Sequence, residues 1–231
     1  MPTDPVLLDN LTLEQSSIVA NNAMNRGRGL SGVNSYTREL GFDPYEVLAE
    51  RLRADPTAQV TWIDVCCGSG RALLEAEARF DREFPAADLT IIGIDLVDFF
   101  LGTPRTPRLR LLATSATTWT PPRKADLVTC VHGLHYIGDK LALIEAMTSW
   151  LAPTARFAAD FDPTEIRRPN GSPATDTVIE TLRAAGLTYD VRRHQIHGDG
   201  RPDFAAVYLG ADTTAGPGYT GQPSVVSYYD W

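Results

Sequence analysis

The sequence contains few cysteines, fewer basic than acidic residues and no long apolar run, and each scarcity excludes a class of protein. Its three cysteines, two of them adjacent as Cys66 and Cys67, suit neither a disulfide framework nor a metal site of the C-x₂-C type. With 21 basic and 29 acidic residues the net charge is −8, which disfavours the basic surface that nucleic-acid binding requires. No run of about 18 apolar residues is long enough to span a membrane. We therefore expect no metal, nucleic-acid or membrane partner.

The remaining composition is that of a folded domain. The chain has 231 residues, of which 43% are hydrophobic and 22% are charged, enough for one globular domain with a full core. The first ten residues, MPTDPVLLDN, lack the succession of charged, apolar and small residues that forms an export signal. We therefore expect a cytoplasmic protein.

From about residue 59, short runs rich in Val, Ile and Leu alternate with amphipathic stretches. This alternation is typical of βα units around a parallel sheet. Two later apolar segments, 187–198 and 203–212, have only a Gly/Asp/Pro turn between them, which predicts that they pair as an antiparallel edge hairpin. The parallel strands are predicted at 60–65, 89–95, 108–114, 125–133 and 155–161.

Helix-start signals occur before and after this strand pattern. Thr12 and Gln15 have the spacing of a capping box, and Asp43 before Pro44 has that of an N-cap followed by a first-turn proline. Ser172 and the proline after it predict a further helix start. The predicted organisation is an N-terminal helical lid or substrate segment (1–58), a core (59–210) and an aromatic tail (211–231).

The strongest functional motif is the segment VTWIDVCCGSGRALLEA, in which an apolar strand ends at Asp64 and a small-residue turn carries Gly68 and Gly70 before a helix. Glycines allow a ligand to approach the backbone, and the first turn of the helix offers unpaired N–H groups. The next strand ends at Asp95, where an acid can bind ribose hydroxyls. An NAD-type turn fits less well because Leu73 stands where a third small residue is needed.

At these residues the sequence resembles the class I S-adenosylmethionine-dependent methyltransferases, whose signature is an acid followed by three alternate glycines. Asp64, Cys66, Gly68 and Gly70 occupy those positions, with Cys66 in place of the first glycine. The resemblance covers residues 59–210. It implies an α/β Rossmann-like fold with a seven-stranded, mostly parallel sheet and a final antiparallel strand pair. It also implies S-adenosyl-L-methionine as cofactor and S-adenosyl-L-homocysteine as product.

The same resemblance assigns further cofactor positions. The turn surrounds the methionine part and Asp95 binds both ribose hydroxyls. Leu96 flanks the adenine, and Ser115 stands where the family often has an acid that meets the adenine amino group. The Ala116 N–H is expected to bind an adenine nitrogen, and Val131 to line the cofactor.

Catalytic candidates follow the fourth predicted strand. His132 is the leading candidate for a general base, because histidine titrates near neutrality and a strand end faces the substrate in such folds. His135 is the second candidate, with packing or capping at the next helix as the alternative. Asp160 and Asp162 are interpreted as solvated turn acids, with orientation of a substrate as the alternative.

Two outer segments complete the expected site. In the lid, Tyr36 and Arg38, together with Arg28, are candidate partners of the cofactor's carboxylate or methionine chain; the alternative is an exposed polar connector. The tail aromatics can line a pocket, contact a neighbouring subunit of a homodimer or stay loose. They are Tyr219, Tyr228, Tyr229 and Trp231.

These observations predict a methyltransferase that acts on O or N of a small-molecule acceptor, with specialised-metabolite biosynthesis as the expected setting. Two alternatives remain open. One is a non-methylating protein on the same scaffold, acting as a cyclase, a decarboxylase or an assembly subunit. The other is a methyltransferase for a peptide or protein acceptor.

Overall fold

The computed structural model describes residues 5–20 and 27–231, which form two sheets with helices packed around the larger one. Residues 21–26 of the predicted lid lie outside the described residues. The large sheet consists of β1 (Gln59–Val65), β2 (Asp88–Asp95), β3 (Leu109–Ala113), β4 (Ala125–Cys130), β5 (Leu151–Asp160), β7 (Leu187–Asp190) and β8 (Gln195–Gly198). The small sheet consists of β6 (Ile166–Arg167), β9 (Val207–Asp212) and β10 (Val226–Asp230).

The strand order of the large sheet is β3-β2-β1-β4-β5-β8-β7. Strands β1 to β5 are parallel, and β8 runs antiparallel to both β5 and β7. The order reverses between β1 and β4, and in open α/β sheets a ligand crevice lies at the carboxyl ends of the strands that flank such a reversal. The predicted sheet with an antiparallel strand pair is therefore confirmed.

The helices confirm some predicted starts and correct others. Helix α4 (Pro44–Ala54) begins as predicted, with Asp43 accepting a hydrogen bond from the Tyr45 N–H. Helix α1 (Asn10–Glu14) is capped by Asp9 and not by Thr12, whose own N–H donates to the Asp9 carboxylate. The remaining helices are α2 (Ser17–Ala20), α3 (Tyr36–Leu40), α5 (Arg71–Glu83), α6 (Lys140–Ser149) and α7 (Thr175–Ala184). None of the helices described is long and apolar enough to cross a bilayer.

The start predicted for α7 was placed too early. The helix begins at Thr175 after Ala174, without a side-chain cap, because residues 166–174 first form a short strand and a turn. In that turn the Arg168 N–H donates to the Ser172 carbonyl, and Pro173 bridges to Arg167. Ser172 is therefore a turn residue and not a helix cap.

The predicted edge hairpin is wrong in its pairing. Segment 187–198 folds back on itself as β7 and β8, with a turn in which His194 has a φ of 50°. Segment 203–212 leaves the large sheet, and its strand β9 pairs antiparallel with β10 from the tail. Apolar alternation identifies a strand but not the strand with which it pairs. Here the pairing strand, β10, lies in the tail, where the sequence pattern did not predict a strand. Strand β9 also runs across residue 210, the predicted end of the core.

Candidate active site

The turn between β1 and α5 has the backbone of a glycine-rich loop at every predicted position. Gly68 and Gly70 have φ values of 60° and 69°, and Cys66 has a φ of 58°. Cys66 thus takes a left-handed conformation in spite of its side chain, which costs free energy that a glycine would not. A Cβ atom on Gly133 would lie 2.3 Å from the Cys66 Cβ, so the strand end opposite must be a glycine. The thiol pKa of Cys66 is raised by the contact with Cys130 and by burial.

A cavity of about 480 Å³ opens at this turn and runs along the carboxyl ends of β1, β2 and β4. Seven of the eleven predicted cofactor residues line it, and so do both predicted catalytic histidines. The seven are Tyr36, Cys66, Gly68, Asp95, Leu96, Ala116 and Val131. Asp64, Gly70, Ser115 and Arg38 are not among the described lining residues.

Asp95 is fixed at the end of β2 by backbone donors. Its Oδ2 accepts from the Gly68 N–H at 2.9 Å, and its Oδ1 accepts from the Val97 N–H at 3.2 Å. The residue is 9% exposed and lines the cavity. A carboxylate held in this way at a strand end can accept two hydroxyl donors of a ribose without reorienting.

Asp64 lies beneath the cavity wall instead of in it. Its Oδ2 accepts from the Tyr36 hydroxyl at 2.7 Å, its Oδ1 accepts from the Thr129 hydroxyl, and its side chain is fully buried. Burial raises the pKa of Asp64 to about 7, although both hydrogen bonds favour the ionised form. Asp64 therefore acts on the site through Tyr36, which is one of the residues that line the cavity.

At Ser115, where the family often has an acid, the structure places an acid from another segment of the chain, Glu14. The Ser115 hydroxyl donates to Oε1 of Glu14 at 2.5 Å, and the Thr117 hydroxyl donates to the same oxygen at 3.3 Å. Glu14, at the end of α1, lines the cavity beside Leu96 and Ala116. Ser115 thus contacts the acid at this position but is not among the described lining residues. Glu14 does line the cavity, and the sequence analysis missed it.

Arg38 does not reach the cavity, contrary to the prediction. Its guanidinium donates to the carbonyl of Val33 at 3.2 Å on the exposed side of the lid. The lid cation that does line the cavity is Arg28, whose Nε lies 3.5 Å from Oε1 of Glu39. Helix α3 begins at Tyr36, so Tyr36 faces inward while Arg38, two residues later, projects elsewhere.

His132 is held by acids on two sides. Its Nε2 lies 3.2 Å from Glu39 Oε2, and its backbone N–H donates to Asp160 Oδ2 at 3.0 Å, with a φ of 58° at His132. The hydrogen bond with His132 lowers the pKa of Glu39, whereas burial raises that of Asp160. Asp160 and Asp162 are 2% and 4% exposed, so the prediction of solvated turn acids is wrong.

His135 has a more enclosed partner. Its Nδ1 lies 3.1 Å from Oε1 and 3.3 Å from Oε2 of Glu165, and both residues are buried. The second Glu165 oxygen lies 3.6 Å from Nζ of Lys140, a fully buried amine whose pKa burial lowers to about 8 against the opposing effect of Glu165. The His135 Nε2 atom is buried and makes no hydrogen bond with any described residue.

The tail packs against these groups. Tyr219 stacks on His194 with ring centroids 3.9 Å apart and meets His135 edge-on at 5.1 Å. Lys140 Nζ donates to the Val225 carbonyl at 2.6 Å, and the Val225 N–H donates to the His135 carbonyl at 2.8 Å. Thr220 and Gln222 of the tail line the cavity, whereas none of the four tail aromatics is among its described lining residues.

Comparison with known proteins identifies the family. Residues 34–172 match the family described as methyltransferase domain. The chain belongs to the methyltransferase domain family. The predicted class I S-adenosylmethionine-dependent family is thereby confirmed.

Individual relatives match over shorter lengths. A trans-aconitate 2-methyltransferase of Methylobacterium radiotolerans is 31% identical over 126 residues, which are 54% of this chain and 44% of the relative. The chain thus spans less than half the length of this curated relative. The amino pentose methyltransferase CalS10 of Micromonospora echinaspora is 28% identical, with a TM-score of 0.39 over 61% of this chain and 55% of that one. The [4+2]-cyclase SpnF is 17% identical, with a TM-score of 0.46 over 79% and 74% of the two chains.

The cavity fits the cofactor of this family chemically. Asp95 offers a ribose acceptor, Leu96 and Ala116 offer an apolar edge for a base, and the glycine turn allows close approach. The described lining also carries three carboxylates and one guanidinium, a net negative charge that suits S-adenosylmethionine, whose sulfonium and ammonium groups outnumber its one carboxylate. The acids are Glu14, Glu39 and Asp95, and the guanidinium is that of Arg28.

Proposed function

We propose that the chain is a cytoplasmic S-adenosylmethionine-dependent methyltransferase that methylates O or N of a small molecule in the biosynthesis of a specialised metabolite. One observation carries the proposal: a single cavity joins the Asp95 and glycine-turn end to two histidines, each next to a carboxylate. Its volume of about 480 Å³ is within the range of small-molecule sites. The segment 1–58 acts in this proposal as the lid, because Glu14, Arg28 and Glu39 all come from it.

When bound, S-adenosylmethionine supplies an electrophilic methyl group on sulfur. The residues of the chain then have two tasks: to hold the acceptor in line and to take up its proton. Each histidine has one ring nitrogen without a hydrogen bond among the described residues, Nδ1 of His132 and Nε2 of His135. His135 suits the second task best, since the Glu165 carboxylate at its Nδ1 is buried, whereas the Glu39 carboxylate at His132 is half-buried and also lies near Arg28. A carboxylate at Nδ1 also stabilises the imidazolium that proton uptake produces.

His132 suits acceptor positioning. Its Nε2 is occupied by Glu39, a residue whose other oxygen lies near Arg28. Glu39 and Arg28 both come from the lid, so the acceptor end of the cavity is completed by the same segment that covers it. We assign His132 to orientation of the acceptor and His135 to proton uptake.

The charges also bear on the acceptor's class. The curated relative is named for trans-aconitate, a tricarboxylate, and such a ligand needs several cations. Among the described lining residues the one Arg or Lys is Arg28, and Glu39 already pairs with it. A neutral or amine-bearing acceptor suits this end better than a polycarboxylate.

The test is transfer of a methyl group. The full chain is incubated with S-adenosylmethionine and fractionated small-molecule extracts, and both S-adenosylhomocysteine release and a one-methyl mass increase of an acceptor are recorded. We expect both signals with the same fraction and neither with trans-aconitate. Product formation with intact S-adenosylmethionine would instead support a non-methylating enzyme on this scaffold. Methyl transfer to a purified peptide, with none to any small molecule, would contradict the small-molecule acceptor and identify a peptide acceptor instead.

A further inference from the structure

We propose that Glu14 is the acceptor for the amino group of the cofactor's adenine, so that a residue of the lid completes base recognition. The inference rests on the proposed function, since adenine belongs to that cofactor. Glu14 lies on α1, more than forty residues before β1, and no sequence motif pointed to it. It stands next to Ser115, the position at which the sequence lacks an acid.

Two hydroxyl groups fix the orientation of the Glu14 carboxylate. Ser115 and Thr117 both donate to Oε1, and the two hydroxyls also contact each other at 2.8 Å. Oε2 makes no hydrogen bond within the described part of the chain, and no described Arg or Lys pairs with Glu14. A half-buried carboxylate with one oxygen anchored and the other available is a prepared acceptor for a donor of the ligand.

The surroundings of Glu14 match the shape of a purine. Leu13, Val19 and Leu96 supply apolar walls, and Leu96 directly follows the proposed ribose ligand Asp95. A base attached to a ribose at Asp95 therefore meets these walls before it reaches Glu14.

The hydrogen-bonding pattern selects adenine among purines. The Ala116 N–H makes no hydrogen bond within the described chain, and Ala116 lines the cavity together with Glu14. A donor beside an acceptor complements adenine, whose N1 accepts and whose amino group donates. Hypoxanthine has the reverse pattern, with a protonated N1 and a carbonyl oxygen in place of the amino group. Its carbonyl oxygen would face the Glu14 carboxylate, so that two acceptors would meet.

Contacts with the small sheet and with the start of α6 hold α1 in position. Leu8 bridges to Ala211 of β9, and Asn10 Oδ1 accepts from the Asp139 N–H at 3.0 Å. These contacts hold the start of the lid next to the cavity, which Asn10 itself lines. Adenine recognition through Glu14 thus links cofactor binding to the small sheet.

The experiment is isothermal calorimetry of the full chain with S-adenosylhomocysteine and with S-inosylhomocysteine. We expect the wild type to prefer the adenosyl compound by about tenfold or more. Glu14→Leu should lose most of that preference by binding the adenosyl compound about tenfold more weakly, with little change for the inosyl compound. In Glu14→Gln the side-chain amide can donate to the carbonyl oxygen of hypoxanthine. The preference for the adenosyl over the inosyl compound should therefore be smaller than in Glu14→Leu, or should reverse. Glu50→Gln, an exposed carboxylate on α4, is the matched control and should behave as wild type.

Three outcomes would overturn the assignment. One is unchanged adenosyl affinity in Glu14→Leu, and another is an equal loss for both compounds in a variant whose thermal unfolding matches wild type. The third is a wild type that binds both compounds equally. A wild type that binds neither compound would instead contradict the proposed function itself, so the two failures are distinguishable.

Discussion

The two ends of the cavity are built in different ways. At the cofactor end, the glycine turn and the ribose ligand come from one contiguous strand, turn and helix plus the end of the next strand, fixed by backbone geometry at Gly68, Gly70 and Asp95, while the lid adds Glu14 at the proposed adenine position. The acceptor end is assembled from the lid, the strand-end histidines, Glu165 and the tail. The geometry of a local backbone motif is set by adjacent residues, whereas a side-chain cluster depends on partners that are distant in the sequence. The glycine turn and Asp95 thus indicate the family, whereas the residues from the lid and the tail carry what is particular to this chain.

The largest predicted effect separates the two ends. His135→Asn keeps an amide near the Nδ1 position, which retains the Glu165 contact, but removes the Nε2 base. We expect methyl transfer to fall by about 10² to 10⁴-fold, as for loss of a general base, while S-adenosylhomocysteine affinity stays within about twofold. His197→Asn, on β8 outside the described cavity lining, is the control and should retain activity. Activity that survives His135→Asn would remove the proton-uptake role.

A second prediction concerns the buried acid beneath the cofactor end. The folded pKa of Asp64 is about 7 and its ordinary value is 3.8, so the folded state holds a proton that the unfolded state releases between those values. Stability from this residue is therefore greatest at low pH, declines as pH rises from 3.8 to about 7 and no longer changes above that. Between pH 5 and 7.5 we expect wild type to lose about 2 to 3 kcal/mol of unfolding free energy relative to Asp64→Asn.

The measurement is urea unfolding of both proteins at the two pH values. Asp98→Asn, an exposed acid after β2, serves as control and should follow the wild-type pH dependence. Parallel stability curves for wild type and Asp64→Asn would show that Asp64 titrates normally. That result would mean that the hydrogen bonds from Tyr36 and Thr129 offset the effect of burial on the pKa of Asp64.

The difference between the two ends also explains what the sequence made predictable. The turn, Asp95 and the parallel strands are local patterns, and each lay where expected. The partners Glu14 of Ser115 and Glu39 of His132 are 101 and 93 residues distant along the chain, and no local period connects them. Such contacts depend on how the lid folds over the sheet, which the sequence pattern alone does not specify.

The errors have the same physical origin. Asp160 ends β5 and Asp162 follows it, a position that suggests a solvated turn, yet both side chains are buried. Strand β9 has the alternation of an edge strand but pairs with β10, a segment whose many turn residues concealed a strand. Arg38 shares a helix with Tyr36, and only the helix orientation shows that it points away from the cavity.

The central claim, that Asp95 and the glycine turn hold an adenosyl cofactor, has a direct test in calorimetry with S-adenosylhomocysteine. The account predicts binding by wild type, binding about tenfold weaker or worse in Asp95→Ala, and wild-type binding in Asp98→Ala. NAD should bind to none of the three proteins. Equal affinity of wild type and Asp95→Ala for S-adenosylhomocysteine would contradict the claim.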